Sequence, residues 1–219
     1  MERPILFSAS MVRALFDGSK TQTRRIMTTQ PIAKPFQIHG EPTGDWFTEN
    51  PAYPRRGNMM AQRFRCPYGT PEDHLWVREA WQSDVRNAML KPRDIAPTEP
   101  IFYAAGGSER ATSLSICAAG WRPSIHMPRT ASRITLTVTD VLVQRLQDVS
   151  EEDAKAEGIR EMRGGAGVYV SREGPANLVT PWPTAKEAFA DLWGSINGPD
   201  SWNANPWVWA VSFTVEPAA

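Results

Sequence analysis

Apolar and polar residues alternate with a period of two over much of this chain, and that pattern predicts mostly strands. A short apolar run from Pro4 to Phe7 reads as the first strand. Ser8 or Ser10 can then cap a helix carrying Met11, Val12, Leu15 and Phe16, which stops at Gly18. Over residues 75–81, Leu75, Val77, Glu79 and Trp81 share one face, with Trp76 and Arg78 on the other. Residues 101–105 form another strand. From Arg133 a long strand turns Ile134, Leu136 and Val138 inward and Thr135, Thr137 and Thr139 outward. The apolar phase then slips by one to Val141 and Val143, which predicts a bulge or bend near Asp140. The last strand, 206–216, places Trp207, Trp209, Val211, Phe213 and Val215 on one face.

Two more helices carry end signals. Ser150 starts one, three acids suit its positive end, and Gly158 stops it. Thr184 and Glu187 have capping-box spacing, followed by the stripe Phe189, Leu192, Trp193, Ile196 and the stop Asn197-Gly198-Pro199. Many strands with few, short helices predict an α+β protein, packed most simply as a twisted, partly closed β-barrel flanked by helices. The expected organisation is one domain over 1–219, with Pro-rich insertions at about 31–71 and 160–183. Trp46, Trp121, Trp182 and Trp202 lie in unpatterned stretches. They can stack on a base or pin a long loop to the barrel, and at least two are expected to pin. Trp193, Trp207 and Trp209 fall at helix or strand spacing and read as core.

Charge narrows the partners. The 24 basic and 24 acidic side chains balance, so attraction to nucleic acid must be local. No run is long enough for a membrane span and no secretory pattern opens the chain, which favours the cytoplasm. Cys66 and Cys117 show no paired spacing; neither a metal site nor a cofactor is expected.

The exception to the pattern is GSKTQTRR, 18–25. A helix stop needs the glycine and one cation for the dipole, not two hydroxyls and three cations together. Elsewhere, Glu79 points inward and needs a partner, with Arg133 or His126 available. His126, Arg129 and Arg133 bracket the start of the long strand. They read either as cations joining Arg24 and Arg25 in a phosphate-binding rim, or as a strand gatekeeper and a satisfied loop histidine.

Gly18, Lys20 and Arg25 match the G-x-K-x-x-x-x-R signature of the ASCH domain family. GTPEDHLWVREAW (69–81), IHMPRTASRITLTVTDV (125–141), LQDVSEEDAKAEGI (146–159) and NPWVWAVSFTV follow in order. The chain thus resembles the larger ASCH-type proteins of bacteria and phages or prophages, outside the two Pro-rich insertions. The resemblance implies a PUA-like barrel and recognition of RNA or a nucleoside. One small branch, similar to N4-acetylcytidine amidohydrolase, uses a lysine, a threonine and a glutamate. Carried over, these fall on Lys20, Thr23 and Glu157, with Arg24, Arg25, Glu79, His126, Arg129 and Arg133 as candidates for binding substrate or nucleic acid. In that trio the threonine attacks an amide carbonyl, a desolvated lysine takes its proton, and the glutamate, at a helix end whose dipole disfavours a carboxylate, protonates the leaving amine. The alternative is an RNA-binding or RNA-cleaving module in which the same cations hold phosphates.

Overall fold

The computed structural model describes residues 1–37, 44–49, 60–106, 120–162, 167–173 and 179–216. Glu2–Leu6 forms β1 and Ala9–Phe16 forms α1. Ser8 caps that helix by accepting from the Met11 amide at 3.4 Å. Gly18, at φ +75°, turns the chain out of it in a backbone region closed to most residues. Gln22–Ile26 is β2, Asp45–Glu49 β3, Met60–Arg65 β4, His74–Arg78 β5, Trp81–Ser83 β6 and Ile101–Tyr103 β7. Thr135–Arg145 is β8 and Glu151–Ala156 is α2. Arg160–Glu161, Tyr169–Glu173 and Val179–Trp182 are β9, β10 and β11; Ala185–Asn197 is α3 and Trp207–Val215 is β12. The protein is α+β, mostly strands with few helices. Among the described residues no helix is long and apolar enough to cross a membrane.

Five strands form the main sheet in the order β1-β5-β8-β12-β2, with β1 parallel to β5 and the other pairs antiparallel. At its centre the β8–β12 ladder slips: Ser212 faces Asp140 but Phe213 faces Val138, so Thr139 is the extra residue. The bulge returns Val141 and Val143 to the face that Leu136 and Val138 occupy, which explains the phase slip in the sequence. That face packs with Trp209, Val211, Phe213 and the Val12 and Leu15 side of α1. The opposite face is also covered, because Val208 packs with Leu146, Ala154, Ala188, Phe189 and Trp193 beneath α2 and α3. The two edge strands approach one another: Arg25 Nη2 donates to Leu6 O at 2.6 Å, and the Phe7 ring lies 6.2 Å from that of Phe213. Among the described residues a side chain, not a backbone ladder, bridges these edges.

Several expectations are corrected. The 75–81 segment is not one strand: it breaks after Arg78, and Trp81 packs with Ile95, Met127 and Ala131 in a separate cluster. The Pro-rich stretches are not irregular throughout, since the first carries the β3–β4 hairpin and the second contributes to the β11-β10-β9 sheet. Prolines obscured the period, but the strands pair nonetheless. Trp46 is core and meets Trp209 edge-on at 6.4 Å, while Trp182 and Trp202 pack against the α3 cluster; Trp121 is exposed. Trp193, Trp207 and Trp209 are buried. Phe16, Ile196 and Val215 are exposed, because their elements end before a second layer covers them. At α3 only half the capping box forms: Thr184 accepts from the Glu187 amide at 3.1 Å, but the Glu187 carboxylate takes the Thr184 hydroxyl rather than its amide.

Candidate functional site

The segment 20–25 is held from three sides. Lys20 N donates to Ala14 O at 2.9 Å, Thr21 N to Ala156 O at 2.8 Å, and Phe213 N to Thr21 O at 2.9 Å. The ends of α1 and α2 and the strand β12 therefore clamp the residues after Gly18. Beyond them β2 pairs with β12, Thr23 opposite Val211 and Arg24 opposite Ala210.

Lys20 has no exposed surface. Its Nζ donates to Glu157 Oε2 at 2.7 Å, to Glu157 O at 2.9 Å and to Gln22 O at 2.9 Å. Three N–H groups meet three acceptors, which is the full capacity of an ammonium. Burial pulls the Lys20 pKa below its usual 10.5; the Glu157 carboxylate opposes that shift, and the Arg25 and Arg24 charges add to it.

Glu157 closes α2 as its C-terminal cap and is itself buried. The turn requires Gly158 at φ +98°: a Cβ there would lie 3.2 Å from Ala14 Cβ and 3.5 Å from Lys20 Cβ. The second carboxylate oxygen accepts from Arg24 Nη1 at 3.3 Å. Two cations thus sit on a carboxylate that the helix end alone would disfavour.

Arg24 is enclosed, its side chain fully buried. Nη2 reaches Asp153 Oδ2 at 2.9 Å, and Nη1 also bonds Gln22 Oε1. Gln144, its amide turned oxygen-inward, accepts from Arg24 Nε at 3.3 Å and Nη2 at 2.8 Å. Asp153 is shared with the start of α2, where Ser150 and Asp153 form a capping box. The alternation of β2 sends Gln22 and Arg24 towards α2, so Thr23 and Arg25 face the other way. That is the side of Phe7, whose ring lies 5.2 Å from Arg25 Cζ and 5.6 Å from Lys20 Nζ. Thr23 is only 2% exposed.

The structure therefore brings Lys20, Glu157 and Arg24 together, with Thr23 and Arg25 on the neighbouring face of the strand. It does not assemble one cationic rim. Arg24 is interior, because two acids of α2 and two glutamines consume its donors. Glu79 is 1% exposed and binds Arg133 in a two-pronged pair at 2.9 and 3.1 Å. Arg133 stacks between Tyr103 and Phe16, at 3.9 and 4.8 Å. Arg129 pairs with Glu2 at 3.0 Å on the surface, and His126 is exposed at the end of a 3-10 turn. Gln22, Gln144 and Asp153 escaped the sequence reading. A usable signal was present: Asp153 and Glu157 are four apart on one helix face, and Gln22 and Arg24 alternate to meet them.

Two hollows lie elsewhere. One lies against Trp81 and Ile95; the other, of about 60 Å³, against Trp46, Thr70 and Asp140, is well below the ~300–1,000 Å³ of ordinary ligand sites. Among the described residues no three His, Cys, Asp or Glu side chains gather as a metal site; Cys117 lies outside them. What the central arrangement offers chemically is a buried 2.7 Å contact between an amine and a carboxylate, with burial lowering the cost of taking the proton from Lys20. In comparison with known proteins, the chain matches no family model, no curated protein and no solved structure.

Proposed function

We propose that this chain is an ASCH-type protein with a PUA-like, partly closed barrel that hydrolyses an acylated nucleoside amide of the N4-acetylcytidine kind. One observation carries the reading. Lys20 and Glu157, 137 positions apart and both named by the family resemblance, meet at 2.7 Å in a buried contact. The signature and the four segments that follow it in order support the family; the contact supports the chemistry.

Proton transfer from Lys20 to Glu157 frees the lysine amine, the form of Lys20 that burial favours. Thr23 Oγ1 attacks the acyl carbonyl while Lys20 takes its proton. As the C–N bond breaks, Glu157 protonates the departing exocyclic amine. Water then attacks the threonine ester. Glu157, now a carboxylate, takes the water proton, Lys20 returns its own to the threonine oxygen, and the acid product departs. Arg24 and Asp153 hold Glu157 in place throughout.

A second reading is favoured by a different observation, the saturation of Lys20. All three of its N–H groups are engaged, as a lock between α2 and β2 requires. On that reading the chain is an RNA-binding or RNA-cleaving module without amidohydrolase activity. Acetate release from N4-acetylcytidine separates the two. The hydrolase reading expects turnover by the natural chain and a loss of about 10³-fold or more in Thr23→Val, with an unchanged urea midpoint. No release by the natural chain, or an active Thr23→Val, sinks it. Retention of RNA with a salt slope of several phosphates then supports the second reading.

A further inference from the structure

Thr23 and Lys20 are enclosed, so a reaction at Thr23 needs a way in, and the seam between the two edge strands supplies one. On β2, Met27 N donates to Trp207 O and Phe213 N to Thr21 O. The period of two then commits the backbone of Thr23 and Arg25 to β12 and turns that of Arg24 and Ile26 towards β1. On β1, His74 N donates to Met1 O and Phe7 N to Arg78 O. Residues 1, 3, 5 and 7 therefore serve β5, while Glu2, Pro4 and Leu6 face β2. Pro4 has no N–H to give, which suits an edge that stays unpaired. Among the described residues no backbone bond crosses this seam.

Side chains fill it instead. Phe7 is buried, with its ring 5.6 Å from Lys20 Nζ and 5.2 Å from Arg25 Cζ. Arg25 is half-buried, and its 2.6 Å bond to Leu6 O lies at the surface. Two exposed apolar residues, Leu6 and Ile26, stand on the two sides of the seam. The hold is weak. That bond is the one hydrogen bond of the Arg25 side chain among the described residues, and its Nε is sealed without an acceptor. Swinging outward returns the guanidinium to water, which offsets the loss of one carbonyl and one ring face. The β1–β5 and β2–β12 ladders stay whole during such a swing, because neither side chain takes part in them.

We propose that Arg25 and Phe7 form a side-chain plug in the seam between β1 and β2, and that its outward swing opens the way to Thr23. The proposal rests on the hydrolase reading for what enters, an acylated nucleoside amide. The opening itself is a property of the seam.

Thiol labelling of full-length Thr23→Cys with iodoacetamide, resolved by peptide mass spectrometry, tests it. Cys66, buried in the core, is the internal reference for global opening. Position 23 should be labelled at least about tenfold faster than Cys66 and at a rate flat in low urea, the mark of local opening. Adding Arg25→Ala should raise the rate at position 23 by about tenfold or more and leave Cys66 protected. Labelling at position 23 that tracks Cys66 through the urea series, or a rate unmoved by Arg25→Ala, overturns the proposal. If a variant fails to melt cooperatively, hydroxyl-radical footprinting of the natural chain decides. Phe7 and Phe213 are buried rings 6.2 Å apart, so a plug that swings exposes the first and not the second. Equal oxidation of the two overturns the proposal. The two readings fail separately. Selective opening without acetate release keeps the plug and removes the hydrolase. Acetate release by a chain whose position 23 is as protected as Cys66 removes the plug and leaves the hydrolase.

Discussion

Glu157 touches two cations, whereas Lys20 touches one carboxylate and two carbonyls. Lys20→Met therefore strands two acceptors and leaves Glu157 to Arg24, while Glu157→Gln leaves a buried ammonium uncompensated. Each should cost about 3–5 kcal/mol in urea denaturation, and the double variant clearly less than the sum. Titration adds a sign. The folded-state pKa of Lys20 is below the unfolded 10.5, so between the two values the unfolded chain binds more protons and stability rises with pH. Measured as the difference between the natural chain and Lys20→Met, stability should climb as pH approaches 10.5 and level off above it. Composition and periodicity marked Lys20 only as surplus charge; its partner 137 residues away came from the family pattern. Arg24 illustrates what pattern conveys only in part, since alternation puts the two adjacent arginines on opposite faces of β2, but the docking of α2 decides which face meets its acids.

At the scale of elements, α2 is a helix of six residues that positions the acid, so its ends matter more than its length. Ser150→Ala removes the cap and should cost about 1 kcal/mol. Gly158→Ala meets both an unfavourable φ and the close Ala14 and Lys20 side chains, and should cost about 1–3 kcal/mol. Thermal melting measures both. On the hydrolase reading, Gly158→Ala alone should also depress acetate release sharply, because it displaces Glu157 itself. These ends were legible, as was the bulge at Asp140, because caps, glycines and phase slips are local signals. The break between β5 and β6 was not. Trp81 continues the alternation of Leu75 and Val77, yet it belongs to a second cluster, and the choice of cluster is made by distant packing.

For the whole molecule, the described strands β3 and β4 of the first Pro-rich insertion contribute to the core rather than wrap around it. Trp46 of β3 and Phe64 of β4 are buried with Trp209 and Val143. Trp46→Ala should lower stability by about 3–5 kcal/mol while leaving one cooperative urea transition. A passive wrap would change stability by less than about 0.5 kcal/mol. The order of strands was the least legible feature, because the neighbours of each strand lie far along the chain. Ser212 is paired with Gln22, and Trp207 with Arg145. The placement of β12 between β8 and β2 has a kinetic consequence. During synthesis or refolding, GSKTQTRR has no ladder to join until residues beyond 206 exist. Closing so long a loop is slow, and β8 keeps an unsatisfied edge meanwhile. Competence at this site is then among the last properties the maturing chain acquires.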